Sequence, residues 1–126
     1  MSNKEPDPKG RPRRAFRDPA YRPLCQDLAE VRANIDRLDQ EIVRLIAERA
    51  MYVKDAARFK GDAYQVSAPA RQAEVFEKAR QLARTHNMGF EGLEEVVEAT
   101  YRAMVAAFIA NEQRYFDQMI VLDPDS

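Results

Sequence analysis

Apolar residues recur at Leu28, Val31, Ile35, Leu38, Ile42 and Leu45, in alternating steps of three and four. That spacing is the seam of a helix packed along its length against other helices. Tyr52, Ala56 and Phe59 prolong the seam, and neither Gly nor Pro interrupts the chain from Leu24 to Lys60. Asp27 followed by Glu30 has the form of a capping box near the start, and Gly61 ends the run. A helix of about 34 residues spans on the order of 50 Å, far beyond the usual globular length.

A second period-3.6 pattern runs from about Pro69 to Thr85, with Ala73, Phe76, Ala79 and Leu82/Ala83 on its apolar stripe. Pro69 suits a first helical turn, and the preceding segment "GDAYQVSA" reads as a loop. "HNMG" supplies the Asn and Gly that end helices. A third helix is expected from about Glu91 to Gln118, carrying Leu93, Val97, Thr100/Tyr101, Met104, Phe108 and Tyr115. No period-two strand is evident, and "MIVL" near the end is too short to count. The expected fold is all-α with three helices. A first helix much longer than its partners leaves apolar seam uncovered, and a symmetric homodimer is the simplest way to bury it.

Composition limits what such a molecule does. The 126 residues suffice for one domain with a modest core, and 33% charged residues fit a soluble protein. No apolar run approaches the length of a membrane span, and "MSNKEPDPKGRPRR" has no signal-like apolar stretch. One Cys and one His offer neither a disulfide nor a zinc cluster, so no metal is expected and a cytoplasmic setting fits. Residues 1–23 hold seven Lys/Arg against three Asp/Glu and five of the seven prolines. The remainder holds thirteen against eighteen. This divides the chain into a flexible basic arm (1–23), a helical domain (24–118) and a tail (119–126). "RPRRAFR" is read as a solvated segment ahead of the weaker alternative of contact with RNA or an acidic partner, and no nucleic-acid or membrane partner is expected of the molecule at a net charge of −1.

The seam carries an anomaly. With Leu28 as heptad position a, Arg49 falls at an a position, and Arg32 and Lys60 fall at e, flanking it. Glu112 follows Phe108 by four residues, on the apolar face of the third helix. A charge inside a helical bundle costs several kcal/mol unless it is paired. Buried ion pairs, or long side chains reaching solvent, account for any one of these residues. Four together, with cations in excess, suggest a small anionic ligand between helices. Arg49 and Lys60, eleven residues apart, share a helix face to within about 20° at roughly 16 Å. Arg32, seventeen residues before Arg49, is about 25 Å away and rotated by about 100°. An antiparallel partner helix brings it to the same ligand more readily than its own chain does.

These residues match a family pattern. "VRANIDRLDQEIVRLIAERA", "FK" at the helix end, "APARQAEV" and "FIANEQ" resemble the all-helical (AroQ-type) chorismate mutases over about residues 24–118. The resemblance implies an intertwined homodimer of three-helix protomers, with sites rich in Arg and Lys and no cofactor. By position, Arg32 corresponds to an arginine donated by the partner chain to a substrate carboxylate. Arg49 corresponds to the same-chain arginine that grips a carboxylate, and Arg71 to a further site arginine. Lys60 corresponds to the lysine hydrogen-bonded to the ether oxygen of the breaking C–O bond. Glu112 stands where the family has Gln or Glu as the second donor to that oxygen. The implied activity is the pericyclic rearrangement of chorismate to prephenate, in aromatic amino acid biosynthesis. Such a reaction is served by holding a dicarboxylate in its reactive shape and placing donors where negative charge grows.

Three positions depart from that pattern. Gln72 stands for a Glu that contacts the ring hydroxyl, Ala68 for an Asp, and Phe108 for a small polar residue. "YVKDAARFK" and "APAR" are also similar to isochorismate pyruvate lyases, relatives of the same fold that release salicylate and pyruvate. The mutase is the first expectation and the lyase the second. Glu112 is expected to donate only when protonated, so that activity falls as pH rises and Glu112→Gln relieves the fall. Without catalysis, the chain is a helical dimerisation module whose polar seam residues set register. Cys25 and His86 read as structural, while Tyr52 and Tyr115 fit either a pocket wall or ordinary packing.

Overall fold

The computed structural model describes residues 4–122; residues 1–3 and 123–126, the ends of the expected arm and tail, lie outside the described residues. The chain is all-helical. Helix α1 spans Leu28–Ala56 and runs into a 3-10 turn at Ala57–Phe59; α2 is Ala63–Ser67, α3 is Pro69–His86 and α4 is Leu93–Gln118. No strand occurs among the described residues, and no helix there is long and apolar enough to cross a membrane.

The three long helices are those of the hydrophobic pattern, with ends shifted by their caps. The Asp27 carboxylate accepts the Glu30 N–H at 2.9 Å, and Glu30 reaches back to accept the Gln26 N–H at 2.9 Å. The helix therefore starts at Leu28, directly after the Asp27 of the expected capping box. At its far end Lys60 is extended (φ −98°, ψ 140°), and its N–H donates to the Ala57 carbonyl at 3.2 Å. The helical register that related Arg49 to Lys60 thus stops at Ala56, and Lys60 reaches its surroundings from a linker.

The segment expected as a loop contains α2. Asp62 caps it by accepting the Gln65 N–H at 2.9 Å, while the Gln65 side chain accepts the Gly61 N–H. This is a capping box with Asp and Gln in its two roles. It turns Val66 inward, where 2% of its surface remains exposed. Ala68 then adopts a left-handed conformation (φ 45°, ψ 64°), the one non-glycine residue with positive φ among those described. That conformation costs roughly 1–2 kcal/mol for a residue with a Cβ. It lets one residue end α2 and begin α3, as its N–H donates to Tyr64 O and its carbonyl accepts the Gln72 N–H, both at 2.9 Å.

The chain divides into two compact units at Ala47/Glu48, within α1. In the second unit α3 packs on α4, and α2 and the 3-10 turn also rest on α4. Its core is Ala57, Val66, Ala79, Ala83 and Val105. Ala79 and Ala83 lie one turn apart, so their small side chains allow close approach of the two helices. Ion pairs flank this contact: Arg80 bridges Glu94 and Glu98, Arg84 meets Glu94 at 3.0 Å, and Arg102 meets Glu98 at 2.9 Å. The hydrogen bond from Arg80, then that from Arg102, holds the Glu98 carboxyl below its ordinary range.

In the first unit the basic arm meets the start of α1. The Ala29 N–H donates to the Pro8 carbonyl at 2.9 Å, and Lys9 Nζ lies 3.9 Å from Asp27. The apolar seam of this part of α1 is uncovered: Ile35 is 50% exposed, Leu38 48% and Ile42 51%. No residue of α1 is buried anywhere along the helix.

Candidate active site

A cavity of about 300 Å³ opens within the second unit. The last turns of α1 contribute Arg49, Tyr52, Val53 and Ala56, and the linker contributes Lys60. Val66, Ser67 and Ala68 form the corner, the first turns of α3 bring Arg71, Gln72 and Val75, and α4 closes the wall with Val105, Phe108, Ile109 and Glu112. The cavity thus gathers Arg49, Lys60, Arg71, Gln72 and Glu112, five of the six residues singled out in the sequence. The sixth, Arg32, is an exposed residue of α1 and is not among the lining residues.

Glu112 is the one charged residue buried among those described, at 5% exposure. Its Oε2 accepts from Lys60 Nζ at 3.0 Å, and Lys60 is 22% exposed. The anomaly on the third helix is therefore the partner of an anomaly after the first. Arg49 meets no carboxylate within ion-pair distance among the described residues. Its guanidinium carbon lies 5.4 Å from the centre of the Phe108 ring and 6.0 Å from that of Tyr101. Arg71 stands at the rim, paired with Glu74 at 3.2 Å on the exposed side of α3. Three cations face one carboxylate, a net of +2 at the cavity.

The Gln72 amide is oriented by the corner. Its Nε2 donates to the Ser67 carbonyl at 2.6 Å, which can only accept, so Oε1 is left as an acceptor. The wall between the charges is apolar, from Val53, Val66, Val75, Val105 and Ile109. Val66 was missed as a wall residue in the sequence because its segment read as a loop, whereas Ala68 was singled out there as a departure from the family pattern. The Asp62–Gln65 box was the available signal. Tyr52 lines the cavity, whereas Tyr115 lies elsewhere, its ring 4.7 Å from Lys54 Nζ. The arrangement can hold a compact dianion against Arg49 and Lys60. It offers hydrogen-bond donors in Arg49, Lys60 and Arg71.

The fold is all-helical, and its cavity has the size and the cations to admit a small carboxylate. The chain belongs to the chorismate mutase type II family, whose profile matches residues 31–113. It is 35% identical over 66 residues to a chorismate mutase of Methanocaldococcus jannaschii, covering 52% of this chain and 67% of that protein. It is 31% identical over 94 residues to an isochorismate pyruvate lyase of Pseudomonas aeruginosa, covering 75% of this chain and 89% of that protein. A bifunctional chorismate mutase/prephenate dehydratase of Aquifex aeolicus is 34% identical over 90 residues, 71% of this chain and 25% of that protein.

Proposed function

We propose that the protein is a chorismate mutase, converting chorismate to prephenate in the cavity around Arg49, Lys60 and Glu112. The observation that carries this reading is the juxtaposition, in a chain of this family, of Arg49, without a carboxylate partner among the described residues, with Lys60 and its buried partner Glu112. Arg49 takes one substrate carboxylate, and Arg71 swings from Glu74 to help close the rim. Lys60 donates to the ether oxygen as its C–O bond breaks and a C–C bond forms within the same molecule. Glu112 is the second group at that oxygen, and its carboxylate orients the Lys60 ammonium. Binding restricts the substrate to its reactive shape before the step, and the donors act where negative charge develops. Gln72 Oε1 is placed to accept from a ring hydroxyl.

The site is completed in a symmetric dimer. Covering the half-exposed seam of α1 gains roughly 1 kcal/mol for each aliphatic side chain. An antiparallel α1 of the partner carries a second Arg32 to the site, where it meets the other substrate carboxylate. One observation favours a second reading: the isochorismate pyruvate lyase of Pseudomonas aeruginosa aligns with 75% of this chain, more than the archaeal mutase does. The deciding experiment is a paired assay of the purified protein with chorismate and isochorismate, following prephenate and salicylate separately. Prephenate as the main product is the expected result. Salicylate and pyruvate from isochorismate, with slow prephenate formation, replaces the mutase with the lyase. Neither product overturns both.

A further inference from the structure

Three cations stand at the cavity, and the structure treats each differently. Lys60 is neutralised by Glu112 at 3.0 Å, and Arg71 is paired with Glu74 at 3.2 Å on the surface. Arg49 alone is held by rings, Phe108 at 5.4 Å and Tyr101 at 6.0 Å. Those rings are seven residues apart on α4, so they lie two turns apart on one face. Phe108 lines the cavity and Tyr101 does not.

We propose that Phe108, backed by Tyr101, is an aromatic seat that positions Arg49 for a ligand carboxylate without consuming its charge. A ring face attracts a guanidinium through its quadrupole but carries no counter-charge and takes none of the in-plane N–H donors. A carboxylate at position 108 would neutralise Arg49 and compete with the ligand for the same fork. A small side chain there, the kind that the resemblance leads one to expect, would leave the long Arg49 side chain free to sample many rotamers, at an entropic cost on binding. The aromatic seat holds the fork in place and leaves both donor edges available. Phe108 is thereby a positioning residue, and it accounts for a departure from the family pattern that packing leaves unexplained. That the ligand is a dicarboxylate rests on the proposed function; the seat itself requires only an anion.

The test uses the 15N-labelled full chain and malonate as the probe. The Arg49 Nε–Hε signal, assigned by its loss in Arg49→Lys, is followed as malonate is added. Phe108→Leu keeps the bulk and removes the ring face, and is expected to weaken malonate binding roughly 3- to 30-fold. Phe108→Tyr keeps the face and stays within about twofold of wild type. Equal affinity in Phe108→Leu and wild type overturns the seat, as does an equal loss in Phe108→Tyr, where the ring face is retained. If Phe108→Leu does not fold, Tyr101→Leu against Tyr101→Phe decides: a weaker malonate complex only in the first supports the seat, and no difference overturns it. A wild type that ignores malonate also overturns it. If the malonate pattern holds while neither chorismate nor isochorismate is turned over, the seat stands and the functional reading falls.

Discussion

Replacing Glu112 by Gln tests the chemistry of the cavity most directly. The carboxylate is 5% exposed and lies 3.0 Å from Lys60 Nζ. At that separation and an effective dielectric near 20, the gross attraction is about 5 kcal/mol. Desolvating both ions offsets most of it, since burial costs several kcal/mol per ion. The amide of Gln keeps a carbonyl acceptor for Lys60, so only the charge assistance of one hydrogen bond is lost. We therefore expect Glu112→Gln to lower stability by about 1–2 kcal/mol, whereas Glu112→Ala, which leaves the ammonium facing an apolar wall, costs about 3–5 kcal/mol. Activity should move the other way. The Glu112 carboxylate, paired with Lys60, repels the negative charge growing on the ether oxygen, while Gln presents a neutral N–H donor. Removing one donor of this kind typically costs 10²- to 10³-fold in rate, so supplying one should be worth on the order of tenfold or more. The assay is kcat/KM for chorismate, with wild type and Glu112→Gln compared under the same conditions. A faster variant is the expected result. Unchanged variant kinetics refute the assignment. So does a slower variant, which would mean that the carboxylate itself is required.

Two further outcomes follow from the same geometry. Arg32→Ala and Arg49→Ala should each abolish activity alone, yet refolding them together should restore about a quarter of wild-type activity, because half the dimers then contain one intact site; no recovery on mixing sinks the contribution of Arg32 across an interface. Glu98→Gln should lower the thermal midpoint at neutral pH, because Arg80 holds the native carboxyl below its ordinary value of 4.5. That contribution is full above the unfolded value and is lost as pH falls through the lowered native one, so the two proteins should converge as the solution is made acid. A difference in midpoint that stays constant with pH would exclude this linkage.

Periodicity was enough for the long helices, because burying one face of a helix leaves a repeat that survives in any tertiary context. Asp27–Glu30 and Pro69 marked two of the starts for the same local reason. The charged positions were equally legible: Arg49 and Glu112 interrupt apolar stripes at helical spacing, and a charge in such a place demands a partner or a ligand. What the linear chain could not state is which charge meets which. Lys60 and Glu112 are 52 residues apart and pair only because the chain leaves the helix at Ala56 and turns back along α4. The Asp62–Gln65 box was visible but short, and five residues carry too little periodicity to separate a helical turn from a loop. The contact of Arg49 with Phe108 and Tyr101, and the Gln72 amide bound to the Ser67 carbonyl, likewise exist only once the α2–α3 corner and α4 are packed. Local patterns fix which faces must be buried, since that depends on residues three and four apart. The cavity and its charge balance depend on contacts between residues far apart in sequence, and those are decided by how the helices pack.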